Sequence, residues 1–325
     1  MENLLEVQGL TTHFFTAGKV IRAVDGVDLS IGRGETVGIV GETGCGKSVM
    51  ALSILRLIPW PPGKIVSGSV IFEGEDLIKK TEEEMRKVRG RKISMIFQEP
   101  KTSMNPVIRI GRQMAEVIML HQGLSKVKAI HKAVEMLEQV HIAEAGRVIN
   151  RYPHEMSGGM LQRVMIAMEL SCKPMLLLAD EPTTALDVTL QAQILRLIKE
   201  LQQKLNTAIL FITHDLGIVA QICDRAIVMY AGNSVESAPV EDLFGKPLHP
   251  YTQGLLGAVP RLDEIQEELA IIPGANPDLS RRIEGCKFRP RCRSRGDRCN
   301  DLKPEWVEIE KNHYIANCTL YGVAR

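Results

Sequence analysis

The amino-acid sequence predicts an α/β fold in which buried strands alternate with helices. One observation is a glycine-rich loop at 41–48, which follows a short apolar segment and precedes a stretch with helical apolar spacing. The others are two continuous apolar runs, at 175–179 and 208–213, of the kind found in strands buried within a parallel sheet. Such strands, separated by helical segments, indicate a parallel sheet covered by helices.

Length and composition narrow the class of protein. The 325 residues suffice for one large domain with an appendage or for two modest domains, and 45% apolar with 24% charged residues is ordinary for a soluble protein with a core. A net charge of +1 argues against electrostatic binding of nucleic acid or anionic lipid by the whole molecule. The chain has no apolar run near the roughly 18 residues that span a bilayer and no signal-peptide pattern at its N-terminus. We therefore expect a cytoplasmic protein, whose seven cysteines should not form structural disulfides.

The segments before the glycine-rich loop predict strands of an antiparallel edge, at 4–8 and 20–31. Phe15 belongs to the aromatic cluster that precedes the loop. An aromatic ring at this place is equally consistent with stacking on an adenine ring and with packing into the core.

The loop at 41–48 matches the phosphate-binding pattern G-x-x-x-x-G-K-[ST], between a predicted strand at 35–40 and a predicted helix at 48–57. Its glycines let backbone N–H groups close around phosphates, and the helix N-terminus adds partial positive charge. Lys47 is placed to contact the β- and γ-phosphates, and Ser48 to hold Mg²⁺. The residues that we predict to contact the nucleotide are Phe15, Gly41, Glu42, Thr43, Gly44, Cys45, Gly46, Lys47, Ser48 and Val49.

A strand and a helical block follow. The strand at 93–97 ends on Gln98, whose amide is either a ligand for a phosphate-bound metal or an ordinary strand end. Residues 107–145 are rich in helix formers with helical apolar spacing. We therefore predict a helical subdomain over about 100–172 rather than a linker.

Ser157, Gly158 and Gly159 open the next predicted helix. Ser157 is a suitable N-cap, and the two glycines leave backbone N–H groups uncovered, which creates a second anion site. From these residues alone, simple helix capping is the simpler interpretation.

Two acids follow the apolar run at 175–179. Asp180 falls where a parallel sheet presents its ligand-binding carboxyl ends and is suited to hold Mg²⁺ through water. Glu181 is suited to polarise an attacking water. Either acid alone is common at a strand end, but their combination with the phosphate loop favours the chemical interpretation. His214 follows the run at 208–213 and is a candidate contact for a γ-phosphate, although a lone histidine is more often structural.

In order and spacing, these motifs resemble the ATP-binding cassette (ABC) family over residues 1 to about 240. The resemblance implies a P-loop NTPase fold with an antiparallel β subdomain, a helical subdomain and, here, a small cysteine-rich C-terminal extension. It also implies binding of ATP and Mg²⁺, and hydrolysis of ATP. Six elements carry it: the loop at 41–48, Gln98, 157–159, Asp180-Glu181, 185–187 and His214.

The resemblance implies a head-to-tail dimer in which each ATP lies between the phosphate loop of one subunit and the other subunit's Ser157, Gly158 and Gly159. Asp187 would lie at the dimer seam. Lys47 would hold phosphates, Glu181 would activate water, His214 would hold the γ-phosphate, and Gln98 would bind Mg²⁺ and report the nucleotide to a partner. The family usually has glutamine where this chain has Met160, which weakens any claim about a side-chain contact there.

The closer resemblance is to the ATPase subunits of bacterial dipeptide and oligopeptide importers, carried by the sequences at 157–164, 180–189 and 247–252. It implies a peripheral protein on the cytoplasmic face of the cell membrane. The implied partners are two transmembrane permease subunits, a second ATPase subunit and an extracytoplasmic substrate-binding protein. Nickel importers share the subfamily, so peptide and nickel both remain open as substrates.

After a connecting helix and linker over 241–280, the last residues, 281–325, form a cysteine-rich extension with few apolar residues. Its spacing, Cys-x5-Cys-x6-Cys-x18-Cys, matches neither common zinc sites nor the familiar ferredoxin runs. The resemblance implies a [4Fe–4S] cluster, with zinc and a metal-free extension as alternatives. The cluster ligands would be Cys286, Cys292, Cys299 and Cys318.

Eight Arg or Lys against two acids in residues 281–298 suit an anionic thiolate-ligated centre and equally suit a nucleic-acid backbone. An alternative function is therefore a soluble ABC ATPase that acts on nucleic acid or ribosomes. A single phosphate loop argues against it, and we expect no nucleic-acid partner. A third hypothesis is a redox sensor that uses ATP as a switch.

Overall fold

The computed structural model describes residues 3–184, 186–259, 271–300, 305–316, 318 and 320. Ala185, in the segment 185–187, lies outside the described residues. Residues 260–270 of the predicted connecting segment do so as well. In the described part, the strands are β1 (Asn3–Thr16), β2 (Lys19–Gly32), β3 (Thr36–Val40), β4 (Gly63–Phe72), β5 (Glu75–Asp76), β6 (Ile93–Ile96), β7 (Leu176–Asp180), β8 (Ala208–Ile212), β9 (Arg225–Tyr230), β10 (Asn233–Pro239), β11 (Trp306–Glu310) and β12 (His313–Ala316). The helices there are α1 (Lys47–Ile54), α2 (Glu82–Val88), α3 (Pro100–Ser103), α4 (Ile110–Gln122), α5 (Lys126–Gln139), α6 (Ala145–Val148), α7 (Gly158–Leu170), α8 (Val188–Leu205), α9 (Leu216–Ile222), α10 (Val240–Gly245) and α11 (Pro250–Gly257).

The chain divides into two compact units. The first contains Gly32–Glu35 and Lys79–Phe211, and the second contains Asn3–Ile31, Thr36–Ile78 and the described residues from 212 onward. The predicted α/β fold is confirmed. Among the described helices, none is both long enough and apolar enough to cross a membrane.

The first unit holds the strand order β8-β7-β6 and the helices α2–α8. β6 and β7 are parallel, with Ile93–Ile96 beside Leu176–Ala179. Capping residues define several of its helices: Thr81 and Glu84 form a capping box on α2, and Asp187 caps α8. On α8 the buried residues Ile194, Leu197, Ile198 and Leu201 follow the helical period.

The second unit holds two groups of strands. The antiparallel sheet has the order β2-β1-β4-β5, which places both predicted edge strands in it. The other strands have the order β11-β12-β10-β9-β3, with β3 parallel to β9 and with antiparallel pairs from β9 to β11.

Some predicted elements differ from those observed. The helix predicted to reach 57 ends at Ile54, because Leu55 is its C-cap and Arg56 has a positive φ of 53°. The extension contains two strands, β11 and β12, which its low apolar content did not indicate. β12 pairs with β10, and Phe288 packs into a core cluster that contains Tyr230 and Tyr251. Apolar residues earlier in the chain therefore supply the core that the extension lacks.

Candidate functional site

The phosphate loop leaves the sheet at the end of β3, whose five residues are all buried. Its residues Val37–Val40 lie beside Arg225–Val228 of β9 in parallel register. A buried strand held in this way fixes the point from which the loop begins, as the apolar segment before it predicted.

Two glycines let the loop pass close to neighbouring backbone. A Cβ on Gly46 would lie 2.1 Å from the carbonyl oxygen of Ala23, and one on Gly41 would lie 2.1 Å from that of Met229. Gly46 is also the N-cap of α1, with a φ of 107° and no side-chain capping bond. The first N–H groups of α1 therefore have no capping side chain over them, which is the arrangement that binds an anion.

Lys47 lies across this loop. Its Nζ donates hydrogen bonds to the carbonyl oxygens of Gly41 at 2.7 Å and Glu42 at 3.1 Å. The Cys45 sulfur lies 3.8 Å from the same nitrogen, and burial raises the pKa of the Cys45 thiol. Lys47 is therefore the cation of the loop, and Cys45 is a protonated, buried neighbour.

His214 lies near the phosphate loop within the second unit. A cavity of about 260 Å³ is lined by Gly41, Glu42 and Thr43 on one side and by His214 and Leu216 on another. The structure thus brings His214 together with the loop. Its contact with a γ-phosphate stays a prediction.

Phe15 is 42% exposed, so packing into the core is the wrong interpretation of this side chain. Its ring stands edge-on to the exposed ring of Trp60, with centroids 6.2 Å apart and planes at 88°. Trp60 did not emerge from the sequence motifs, although a tryptophan next to two prolines was a visible signal. Two exposed rings suit stacking on a base, so that role for Phe15 stays a prediction.

In the first unit, the carboxyl ends of β6 and β7 bring two predicted site residues together. Gln98 Nε2 donates to Glu181 Oε2 at 3.2 Å, and Thr184 Oγ1 donates to the same oxygen at 2.8 Å. Glu181 has a positive φ of 46°, in the left-handed region that such a residue rarely adopts. A carboxylate held by an amide and a hydroxyl is oriented for use as a base. Asp180, the last residue of β7, is buried.

Two further predicted residues cap helices in the same unit. Ser157 Oγ accepts a hydrogen bond from the Met160 N–H at 3.3 Å, and Asp187 Oδ1 accepts one from the Leu190 N–H at 2.9 Å. A Cβ on Gly158 would meet no atom within 4 Å, whereas one on Gly159 would lie 3.1 Å from Leu190. Capping is thus present at Ser157, and an anion site there stays a prediction.

The main chain joins two of the four extension cysteines, since the Cys286 N–H donates to the carbonyl oxygen of Cys299 at 2.9 Å. Cys286 and Cys318 each interact electrostatically with Cys299, and so does Cys292. Burial raises the pKa of Cys286 to about 11 and also raises the pKa values of Cys292 and Cys318. The residues that the structure describes contain no group of three or more His, Cys, Asp or Glu side chains in a metal-binding arrangement.

Backbone N–H groups oppose part of this effect of burial on the pKa values. The Gly296 N–H donates to Cys299 Sγ at 3.4 Å, whereas the Arg289 N–H donates to the carbonyl oxygen of Cys286 at 3.1 Å. The backbones of Ser294 and Leu320 lower the pKa values of Cys292 and Cys318 by less than burial raises them. Hydrogen bonds to sulfur favour the thiolate form that binds metals and clusters, but burial is the larger effect at Cys286, Cys292 and Cys318 and favours the protonated thiol.

Two basic residues of the extension form ion pairs within the second unit. The count of charges in the sequence did not indicate these pairs. Arg291 forms an ion pair with Glu42 at 2.7 Å, and Lys287 forms one with Asp25 at 2.8 Å. Both cations are largely buried, so these two charges are not available to a nucleic acid. The two residues of each pair are far apart in the sequence, so no local pattern predicts their contact.

Two known families match this chain. The family described as ABC transporter matches residues 24–184, and the family described as oligopeptide/dipeptide transporter, C-terminal region, matches residues 235–299. Among curated relatives, the probable peptide ABC transporter ATP-binding protein y4tR of Sinorhizobium fredii is 54% identical over 96% of this chain and 94% of its own length. The oligopeptide transport ATP-binding protein AppD of Bacillus subtilis is 51% identical over 99% and 98%, and OppD of Salmonella typhimurium is 50% identical over 93% and 89%.

Solved structures agree with these matches. The ATP-binding cassette MJ0796, in a dimeric post-hydrolysis state bound to ADP and Pi, has a TM-score of 0.65 at 28% identity, over 73% of this chain and 98% of that chain. The cbiO1 protein of Clostridium perfringens, part of the ABC transporter complex cbiONQ, has a TM-score of 0.64 at 25% identity, over 76% and 92%. The chain therefore belongs to the family of ABC transporter ATP-binding proteins, which are ATPases, and within it to the group of the oligopeptide and dipeptide transport proteins.

Proposed function

We propose that this chain is the ATP-hydrolysing subunit of an importer of dipeptides and oligopeptides. The single observation that carries the peptide assignment is the match of residues 235–299 to the C-terminal region of peptide transporters. The phosphate loop, with Lys47 across it and no side-chain cap at the start of α1, supports the ATPase activity.

In this proposal the loop and Lys47 bind the phosphates of ATP. Ser48, Gln98 and Asp180 supply the hydroxyl, amide and carboxylate oxygens that Mg²⁺ prefers. The metal, when bound, neutralises charge on the phosphates. Gln98 uses its N–H group on Glu181, and its oxygen is the atom that would face a cation.

Glu181 accepts a proton from the water that attacks the γ-phosphorus, and the bond to the leaving ADP oxygen breaks as the new one forms. Thr184 and Gln98 hold the carboxylate for that step. His214 contacts the γ-phosphate. In a dimer, the other subunit's Ser157, Gly158 and Gly159 close on the same nucleotide, and its Asp187 lies at the seam.

The partners in this proposal are two transmembrane permease subunits, a second ATPase subunit and an extracytoplasmic substrate-binding protein. The chain would act peripherally, on the cytoplasmic face of the membrane. Nickel import is the second candidate because nickel importers resemble the same subfamily. An activity on nucleic acid is weakened by the internal ion pairs of Arg291 and Lys287.

The test is reconstitution of the full chain with its permease and partner ATPase in vesicles, with substrate-binding protein outside. Peptide-dependent ATP hydrolysis and uptake of labelled dipeptides and oligopeptides are expected. Nickel uptake without peptide uptake would replace the substrate assignment and leave the ATPase intact. Co-purification with RNA rather than with membranes would overturn the importer proposal.

The extension would hold a [4Fe–4S] cluster through its four cysteines. The Gly296 N–H that donates to Cys299 Sγ supports this ligand set, and the cluster would supply structural or redox-sensing chemistry that ATP hydrolysis does not need. Anaerobically purified protein should contain about four irons and four sulfides per chain. Cys292→Ser should lower both contents, whereas Cys172→Ser, outside the extension, should not. Zinc alone, or no metal, would contradict the cluster.

A further inference from the structure

Arg291, a side chain of the extension, contacts the phosphate loop at Glu42. Arg291 lies in a short helix, Arg289–Arg291, directly before Cys292, and is only 8% exposed. Its Nη1 donates to Glu42 Oε2 at 2.7 Å and its Nη2 donates to Glu42 Oε1 at 2.9 Å. This is a two-point ion pair, the strongest geometry that a guanidinium offers a carboxylate.

The rest of the guanidinium is held as firmly. Nε donates to the carbonyl oxygen of Pro273 at 2.9 Å, and Nη1 donates to Asn276 Oδ1 at 2.8 Å. Its carbon lies 5.8 Å from the centre of the Tyr230 ring. These contacts fix the rotamer of Arg291. Because Arg291 binds the Glu42 carboxylate, the extension thereby fixes where that carboxylate lies.

Two further hydrogen bonds hold the main chain of the phosphate loop, at Thr43 and Glu42. Asn276 Nδ2 donates to the carbonyl oxygen of Thr43 at 3.4 Å, and the Glu42 N–H donates to Tyr251 Oη at 2.9 Å. The main chain and the side chain of Glu42 thus both have partners outside the loop.

Electrostatics explains why Glu42 needs Arg291. A carboxylate inside a phosphate-binding loop repels the negative charge of a nucleotide, and this one is three-quarters buried. Arg291 neutralises that charge and keeps the Glu42 carboxylate bound to the extension. Removing the cation would leave a desolvated carboxylate, which is far costlier than losing the contact alone.

We propose that Arg291 is a positioning residue for ATP binding, through which the cysteine-rich extension sets the ATP affinity of its own chain. The inference rests on the proposed role of the loop at 41–48 as the ATP site. Arg291 does not touch the nucleotide; it acts through Glu42.

Lys287 provides a matched control. It comes from the same extension and pairs with Asp25 at 2.8 Å, while its Nζ also donates to the carbonyl oxygen of Ala231 at 2.9 Å. Neither of these partners belongs to the phosphate loop. Loss of Lys287 therefore loosens the attachment of the extension without freeing the charge of Glu42.

The experiment measures the Kd for Mg-ATP, and KM and kcat for hydrolysis, in full-length Arg291→Gln and Lys287→Gln. Arg291→Gln should raise Kd and KM at least about tenfold, the effect expected for a charge-assisted hydrogen bond whose partner is left buried, with a smaller change in kcat. Lys287→Gln should leave Kd within about twofold even where it lowers Tm. Equal affinity in Arg291→Gln and the parent, or equal weakening by both variants, would overturn the proposal.

A double-mutant cycle keeps the test sound if Arg291→Gln folds poorly. Glu42→Gln/Arg291→Gln carries no unpaired charge and should bind ATP more tightly than Arg291→Gln, as coupled residues do. Additive losses would contradict the pairing. Lys47→Ala distinguishes a failure of the proposed ATP site from a failure of the proposed role of Arg291. If ATP binding survives Lys47→Ala, the loop is not the ATP site and the proposed function fails, whatever Arg291 does.

Discussion

At the scale of the residue, the chemistry depends on how a few side chains are held. Glu181 was identified from its place after an apolar run, and the structure adds the amide of Gln98 and the hydroxyl of Thr184 as its partners. Thr184 lies in the motif at 180–189, but the motif did not assign it a role. Both donors orient the carboxylate, so replacing it with an amide of the same shape tests its role as a base.

Glu181→Gln should retain ATP binding and lower kcat by about 100-fold or more, because the amide keeps the shape but cannot accept a proton. The trapped nucleotide should also stabilise the dimer. ATP binding, steady-state turnover and size-exclusion chromatography with ATP measure these effects. Glu138→Gln, an exposed substitution on α5, is the control. Normal turnover in Glu181→Gln would refute the assignment of this residue as base.

At the scale of the element, helix starts and strand ends explain the predicted sites. α1 begins on an uncapped glycine, whereas α7 begins on the Ser157 cap. β6 and β7 place Gln98 and Glu181 side by side because parallel strands end at one edge. The motif at 157–159 predicted the start of α7, but it did not indicate the role of Glu169 later in that helix.

Glu169 on α7 is a partly buried residue whose carboxyl group lies beside Ser94 and Met95 of β6. Burial raises its pKa from 4.5 to about 7, against the lowering effect of the Met95 N–H and the Ser94 side chain. Between those two pH values the folded protein binds more protons than the unfolded chain, so the free energy of unfolding falls as pH rises.

Glu169→Gln should therefore abolish that fall and should be more stable than the parent at pH 8, by about 1–3 kcal/mol. Urea unfolding of nucleotide-free protein between pH 5 and pH 8 is the measurement. Glu138→Gln should keep the parental pH dependence. An unchanged slope in Glu169→Gln would show that another group causes it.

At the scale of the whole molecule, the chain adds a C-terminal extension to the ABC core and joins it to earlier strands of the second unit. Glu236 on β10 is fully buried and accepts hydrogen bonds from the N–H groups of Leu248 and His249 at 2.7 and 2.8 Å. His313 on β12 lies 2.7 Å from the same carboxylate. One acid thus joins the strands and the connecting segment.

Glu236→Ala should lower the free energy of unfolding by about 3–5 kcal/mol, because it leaves buried donors without an acceptor. Urea unfolding at pH 7 measures this loss, and Glu241→Ala, an exposed change on α10, should cost less than about 0.5 kcal/mol. A loss under 1 kcal/mol in Glu236→Ala would mean that the attachment relies on β10–β12 pairing instead.

The amino-acid sequence by itself determined the α/β class, the phosphate loop, the helix that Ser157 caps and the acids after β7. These features are local, because glycine conformation, capping and apolar period act over a few residues. Only the tertiary structure decided that Thr184 supports Glu181, that Phe15 is exposed beside Trp60, and that Arg291 holds Glu42. The last pair is separated by 249 positions. No local pattern encodes such a contact, since it exists only after the core has brought the extension to the loop.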